Sequence, residues 1–188
     1  MRIRHTTWQD LPELEIIYER ARQFMKETGN PNQWKDCRPN PSLIEEDIRV
    51  GQSYVLEDEG EILGVFALIF GEDPTYGIIE DGRWLNSRPY AAIHRIASSG
   101  KAHGFFKILM DFCQNKASNL RIDTHPDNKI MQHLIAKNGF TYCGIIYTDD
   151  GTKRLAYQKD LARYRYAGIK SLNSPAPVIS PLAARSVK

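Results

Sequence analysis

Apolar positions along the chain change period several times. Leu11, Leu14, Ile17, Ala21 and Phe24 recur at helical spacing, and Asp10 followed three residues later by Glu13 resembles a capping box. This predicts a first helix that stops at Gly29, with Pro31 barring continuation, preceded by a short strand over residues 2 to 6. Asn40 and Pro41 supply an N-cap and a first-turn proline for a second helix through Ile44 and Ile48, closed by Gly51. The pattern then shortens: residues 53 to 57 and 62 to 70 read as a hairpin around a turn at 58 to 60. Further strands are expected within 76 to 85, interrupted by Asp81 and Gly82, and over 90 to 98. From Gly104 onward the spacing of Phe105, Ile108, Leu109, Phe112 and Cys113 is helical again. A strand over 120 to 124, a helix over 128 to 137 ending at Gly139, and a hairpin of 140 to 147 with 153 to 158 complete the order.

Strands in a block with two late helices as crossovers predict an α+β fold, a mixed sheet covered on both faces. The connection from 90 to 124 requires a parallel, right-handed pairing. With 188 residues the chain has room for one domain and an appendage. The boundary is expected near residue 160. Residues 161 to 188 carry Arg163, Arg165, Lys170, Arg185 and Lys188 with no acid, beside Pro175, Pro177 and Pro181, and read as a basic, proline-containing tail. The overall charge of +2 therefore leaves the first 160 residues at −3, which disfavours a body that grips nucleic acid. The Arg163-Tyr164-Arg165-Tyr166 run is read as a solvated or self-docked segment rather than a nucleic-acid contact. Three widely spaced cysteines, Cys37, Cys113 and Cys143, without a CxxC pair or a secretory leader, point to a reducing cytoplasm. Residues 62 to 70 form the longest apolar stretch, too short for a membrane helix of about 20 residues.

Chemistry concentrates in residues 91 to 106, AAIHRIASSGKAHGFF, a buried strand followed by a small-residue loop and a helix start. Free amides, the helix dipole and Lys101 favour an anion there, although a tight turn that needs Gly100 and Gly104 for conformation gives the same pattern. Downstream, DTHPDN at 123 to 128 leads into a helix ending in NGF at 138 to 140, followed by a strand bearing Tyr142. With these segments the chain, over residues 1 to 160, resembles the GNAT superfamily of acyl-CoA N-acyltransferases.

The resemblance implies a mostly antiparallel mixed sheet with one splayed parallel strand pair, and acetyl-CoA as co-substrate without a metal. It implies that residues 101 to 106, Lys101, Ala102, His103, Gly104, Phe105 and Phe106, are the loop that holds the CoA pyrophosphate. Lys101 stands where the family has Gln or Arg. Phe106 replaces a small residue, crowding the phosphate or shifting it toward the amides of 102 to 105. Pantetheine is expected along Ile96, Ala97 and Ser98, with an amide there as oxyanion donor, and at Asn128, which also suits a helix N-cap. Seven residues after that Asn the family often has a tyrosine that protonates the leaving thiolate; here Ile135 takes that place.

Candidate bases for direct attack by an amine are His94, Asp123 and Glu80. His94 alternates with Ile96 and Ser98, which predicts a shared strand face with the thioester; a hydrogen-bonded core histidine is the alternative. Asp123 ends a strand beside the gap and would draw off a proton or bind a cationic substrate; a turn residue or a partner of His125 is its alternative. Glu80 lies on the expected strand that borders the acceptor side in the family, or on a solvated face. Trp34, between the first two helices, is placed by the resemblance in the acceptor pocket, or plugs the core. Cys37 is expected to be a bystander. His103 and His125 lack ligand spacing, so no metal is expected. The expected partner is an amine-bearing acceptor, a small molecule or a peptide, with no membrane and no nucleic acid; a homodimer stays open. Two other readings remain, a CoA-binding module that no longer transfers and an interaction protein acting through its tail.

Overall fold

In the computed structural model the described residues are 1–34 and 38–162; Cys37 and the tail from residue 163 lie outside them. Seven strands form one sheet: β1 (Arg2–His5), β2 (Ser53–Asp58), β3 (Glu61–Phe70), β4 (Ala91–Ser98), β5 (Asn119–Thr124), β6 (Thr141–Tyr147) and β7 (Lys153–Asp160). Their order is β1-β2-β3-β4-β5-β7-β6, antiparallel throughout except for the parallel pair β4–β5. The α+β reading with a mixed, mostly antiparallel sheet is therefore correct.

Among the described residues, the α-helices that cover the two faces are α1 (Leu11–Glu27), α2 (Pro41–Arg49), α3 (Phe105–Lys116) and α4 (Lys129–Lys137). On one side Leu14, Ile17, Tyr18 and Ala21 of α1 and Ile44 and Ile48 of α2 bury against Val55, Val65 and Ala97. On the other, Phe105, Phe106, Leu109, Met110 and Cys113 of α3 and Ile135 of α4 pack on Leu56, Phe66, Leu68, Ile93 and Ile122. Each large side chain so buried contributes about 1.5–3 kcal/mol, so the two layers fix the sheet between them. Phe24, expected on the buried stripe of α1, is 52% exposed.

Two local expectations change. Asp10 does not cap α1 through Glu13. Its carboxylate accepts from the Thr7 amide at 2.7 Å and from the Thr7 hydroxyl at 2.9 Å, closing a short 3-10 turn (Trp8–Asp10) ahead of the helix. The strand expected within 76 to 85 is absent. After a 3-10 turn at Pro74–Tyr76, that segment drapes Tyr76, Ile79, Trp84 and Tyr90 over Ala92, Ile146 and Ala156, and its backbone pairs with the sheet at a single bridge, Glu80 with Ile145. Its apolar residues cover a sheet face instead of alternating across one. Asn40 and Asn128 cap α2 and α4 as expected, accepting from Leu43 and Met131, each at 2.9 Å.

Candidate active site

Parallel pairing of β4 with β5 ends at Ile93 and Ile122. Beyond that point residues 94 to 98 pair only with β3, and the two strands part. A cavity of about 550 Å³ occupies the opening, lined among others by Gln33, Trp34, His94, Ile96, Asp123 and Arg154.

The β4 lip of this opening carries a bulge. Val65 pairs with Ala97 and Ala67 with His94, so Arg95 and Ile96 together stand opposite Phe66, and Arg95 adopts φ +54°. An extra residue reverses the alternation. Ala91, Ile93 and Ile96 all belong to the α3/α4 side, whereas Ala92, Ala97 and the His94 ring, 5.5 Å from Tyr76, lie on the other. The expected common face of His94 and Ile96 is thereby corrected, since strict alternation assumed an unbroken strand.

His94, Asp123 and Arg154 project from three adjacent strands, β4, β5 and β7, onto one face, and Asp73 joins them from the segment after β3. His94 Nε2 lies 2.8 Å from Asp73 Oδ2, and its Nδ1 lies 3.6 Å from Asp123 Oδ1. Tyr76 donates its hydroxyl to Asp123 Oδ1 at 2.8 Å, and Arg154 Nε stands 3.6 Å from Asp123 Oδ2. Burial alone would raise the Asp73 carboxyl, but hydrogen bonds from His94 and Thr75 hold it below the usual carboxylate range. Burial and the adjacent Asp123 carboxylate push the Tyr76 phenol well above its ordinary value, so it remains a donor. Desolvation lowers the Arg154 guanidinium, with Asp123 opposing. Asp73 escapes sequence reasoning because it lies in a loop 21 residues from His94; its only local signal is the Asp-Pro step of a turn.

Glu80 is not brought to this group. It is exposed, its side chain accepts from the Tyr147 hydroxyl at 3.2 Å, and its backbone bridges Ile145. Trp34 reaches the cavity and meets Tyr18 edge-on at 5.7 Å, while Tyr18 donates to the Arg95 carbonyl on the β4 lip at 3.2 Å. Cys113 and Cys143 are buried, and burial pushes the Cys113 thiol up to about 12.

The loop after β4 runs past the other end of the opening. Gly104 adopts φ +74° as N-cap of α3, and the amides of Ala102 through Phe106 make no hydrogen bond among the described residues. Ser98 and Ser99 hold the preceding turn: Ser98 Oγ accepts from Gly100 N at 3.1 Å, and Ser99 Oγ donates to the Leu63 carbonyl at 3.0 Å. Lys101 pairs with Glu61, and His103 is exposed. The Phe106 ring is buried in the core at 5% exposure, which corrects the expected crowding of the phosphate position: at N2 of the helix the side chain points down while the amide points out. Phe105 fits beneath Gly64 of β3, where a Cβ would come within 2.6 Å of the ring. Asn128 uses its oxygen for the α4 cap and gives its Nδ2 to Gln33 Oε1 at 2.8 Å. Ile135 is fully buried and presents no polar group to the cavity.

The site thus combines a splayed parallel pair, an amide-lined helix start at one side and a carboxylate–imidazole cluster at the other. No family model and no curated protein matches the chain. Solved structures do. A GNAT-family acetyltransferase from Streptococcus agalactiae 2603 is 32% identical, with a TM-score of 0.77 over 85% of this chain and 94% of that one. A GNAT-family acetyltransferase from Listeria monocytogenes 4b F2365 is 22% identical, with a TM-score of 0.65 over 85% and 94%. The aminoglycoside acetyltransferase AAC(6')-Ib, solved with coenzyme A and kanamycin, shares the fold at 17% identity and a TM-score of 0.58 over 88% and 98%. The chain belongs to the GNAT family of acetyltransferases.

Proposed function

We propose that this chain transfers an acetyl group from acetyl-CoA to a primary amine by direct attack. The observation that carries the reading is the opening between β4 and β5, with free amides at one end and the Asp73–His94–Asp123 group at the other. The pyrophosphate would rest on the amides of 102 to 106, where the α3 dipole favours negative charge. Pantetheine would follow residues 96 to 98 along the unpaired edge of β4, with Asn128 opposite. Asp73, held ionised, fixes a proton on His94 Nε2 and leaves the Nδ1 lone pair facing Asp123 across 3.6 Å. An ammonium entering that gap donates to both. His94 takes one proton and later releases it to solvent; the free amine attacks the thioester carbon, a C–N bond forms, the C–S bond breaks and the nitrogen sheds its second proton. That second proton reaches the departing thiolate through solvent, and CoA leaves as the thiol. Asp123, oriented by Tyr76 and Arg154, holds the acceptor's charge, and Trp34 covers it. The neighbour solved with coenzyme A and kanamycin supports pairing a CoA thioester with an amine-rich acceptor.

Purified protein incubated with acetyl-CoA and a panel of primary amines should release free thiol. His94→Ala should lower turnover about 100-fold or more, in the range that general bases contribute, with acetyl-CoA affinity retained. The burial of Ile135 favours one second reading, a CoA-binding module without transfer. Tight acetyl-CoA binding without thiol release across the panel would establish that reading instead.

A further inference from the structure

Gln33 sits in the connection between α1 and α2, yet four donors converge on its side-chain oxygen. Asn128 Nδ2 approaches Oε1 at 2.8 Å, Asn30 Nδ2 at 3.0 Å, Thr124 Oγ1 at 3.3 Å and the His125 amide at 3.4 Å. Its main-chain oxygen accepts from Arg154 Nη2 at 3.0 Å. One residue thus joins the end of β5 and the cap of α4 through its side chain and the β7 arginine that faces Asp123 through its main chain. Next to it, Trp34 leans on Tyr18, which holds the opposite lip through the Arg95 carbonyl. Residues 33 and 34 therefore bind both edges of the opening.

We infer that Gln33 is a positioning residue: it sets the orientation of Asn128 and the width of the opening for the acyl-CoA chain. This rests on the acetyl-transfer reading above. A carbonyl oxygen accepts two hydrogen bonds well, and the two shortest here come from Asn128 and Asn30. Removing the acceptor leaves the Asn128 carboxamide held only through its α4 cap, free to pivot about that one bond, and leaves its buried donor unmatched. Gln33 Nε2 donates no hydrogen bond among the described residues, so a carboxylate in its place keeps every contact that matters.

The test is calorimetric titration of acetyl-CoA into wild type, Gln33→Met and Gln33→Glu, well below the melting temperature of each. Gln33→Met, of similar length but without an acceptor, should bind about tenfold more weakly, the scale of one lost buried hydrogen bond. Gln33→Glu should stay within about twofold of wild type by the same reasoning. A purely structural role would lower the melting temperature of Gln33→Met and leave the affinity of its folded fraction unchanged, which would overturn the inference. Equal weakening by Gln33→Glu would overturn it as well. Wild type without affinity for acetyl-CoA would instead refute the acetyl-transfer reading itself, and this inference with it.

Discussion

Arg95, the bulged residue of β4, is locked to Asp47 of α2 by two hydrogen bonds: Nε donates to Oδ2, and Nη2 donates to Oδ1 at 2.8 Å. The carboxylate is 2% exposed and also accepts from Gln52 Nε2 at 2.8 Å. A left-handed backbone at a non-glycine residue costs on the order of 1 kcal/mol or more and persists only where surroundings enforce it. Here the enforcement is an ion pair that reaches across to the helix layer, and what it preserves is the bulge that places His94 and Ile96 on opposite faces.

Asp47→Ala should therefore cost about 3 kcal/mol, the range for breaking a buried pair, lowering Tm by about 6–12 °C. Acetyl-CoA affinity should fall too, because the β4 lip is no longer held. Thermal melts and calorimetry check both; a loss of stability with unchanged affinity would mean that the bulge holds without the pair.

Gly104→Glu should weaken acetyl-CoA binding by about three orders of magnitude, since two charges about 4 Å apart near a surface repel by about 4 kcal/mol. Gly104→Asn should stay within a few-fold: a Cβ at this position meets nothing within 4 Å, and Asn tolerates the φ of +74°. Equal affinity for both variants by calorimetry would remove the phosphate from this loop.

Ile135→Tyr restores the side chain that the family often carries at that place. Because Ile135 is fully buried between α4 and the sheet, the larger ring and its unmatched hydroxyl should cost about 2–3 kcal/mol and leave thiol release no faster. Faster turnover with an unchanged melting temperature would show that the position opens onto the reacting atoms.

Asp10 predicts an acid limit. Hydrogen bonds from Arg4, at 2.7 and 2.9 Å, outweigh the opposing effect of burial and, with the Thr7 bonds, bring its carboxyl down from 3.8 to about 2. A depressed folded value gives stability that is complete above the unfolded value and vanishes as pH falls through about 2. Asp10→Asn should lower Tm by several degrees at pH 7, with the difference shrinking between pH 4 and pH 2. A constant difference across that range would assign the effect to lost capping geometry.

Much of this was legible in the chain. Gly100, Gly104, Asn128 and Gly139 mark backbone turns and caps, which are local events, and apart from the strand expected within 76 to 85 the order of strands and helices follows from period. The bulge at Arg95 was not, because nothing in His-Arg-Ile distinguishes a charged strand residue from a left-handed one; the signal is Asp47, 48 positions away. Trp84 misled for a related reason: its ring and that of Tyr90 sandwich Arg121, each 3.9 Å from its guanidinium, so the apolar residues between 76 and 85 encode a cover over the sheet rather than a strand. The residues that orient His94 and Asn128, Asp73 and Gln33, act by reaching across the fold, and such convergence has no period.

The seat of Phe105 under Gly64 makes ligand affinity a property of the core. The ring is the first side chain of α3, so whatever raises it tilts the whole row of amides above the sheet as one rigid piece. Substitutions at Gly64 should thus damage melting temperature and phosphate affinity together, though the residue lies on a different strand from the loop. Substitutions at Gly104 meet no other atom, so beyond the backbone strain at φ +74° that they share, they should differ from one another in affinity according to the charge they bring. Plotting the two quantities against each other across variants would separate sites that shape the cradle from sites that touch its occupant.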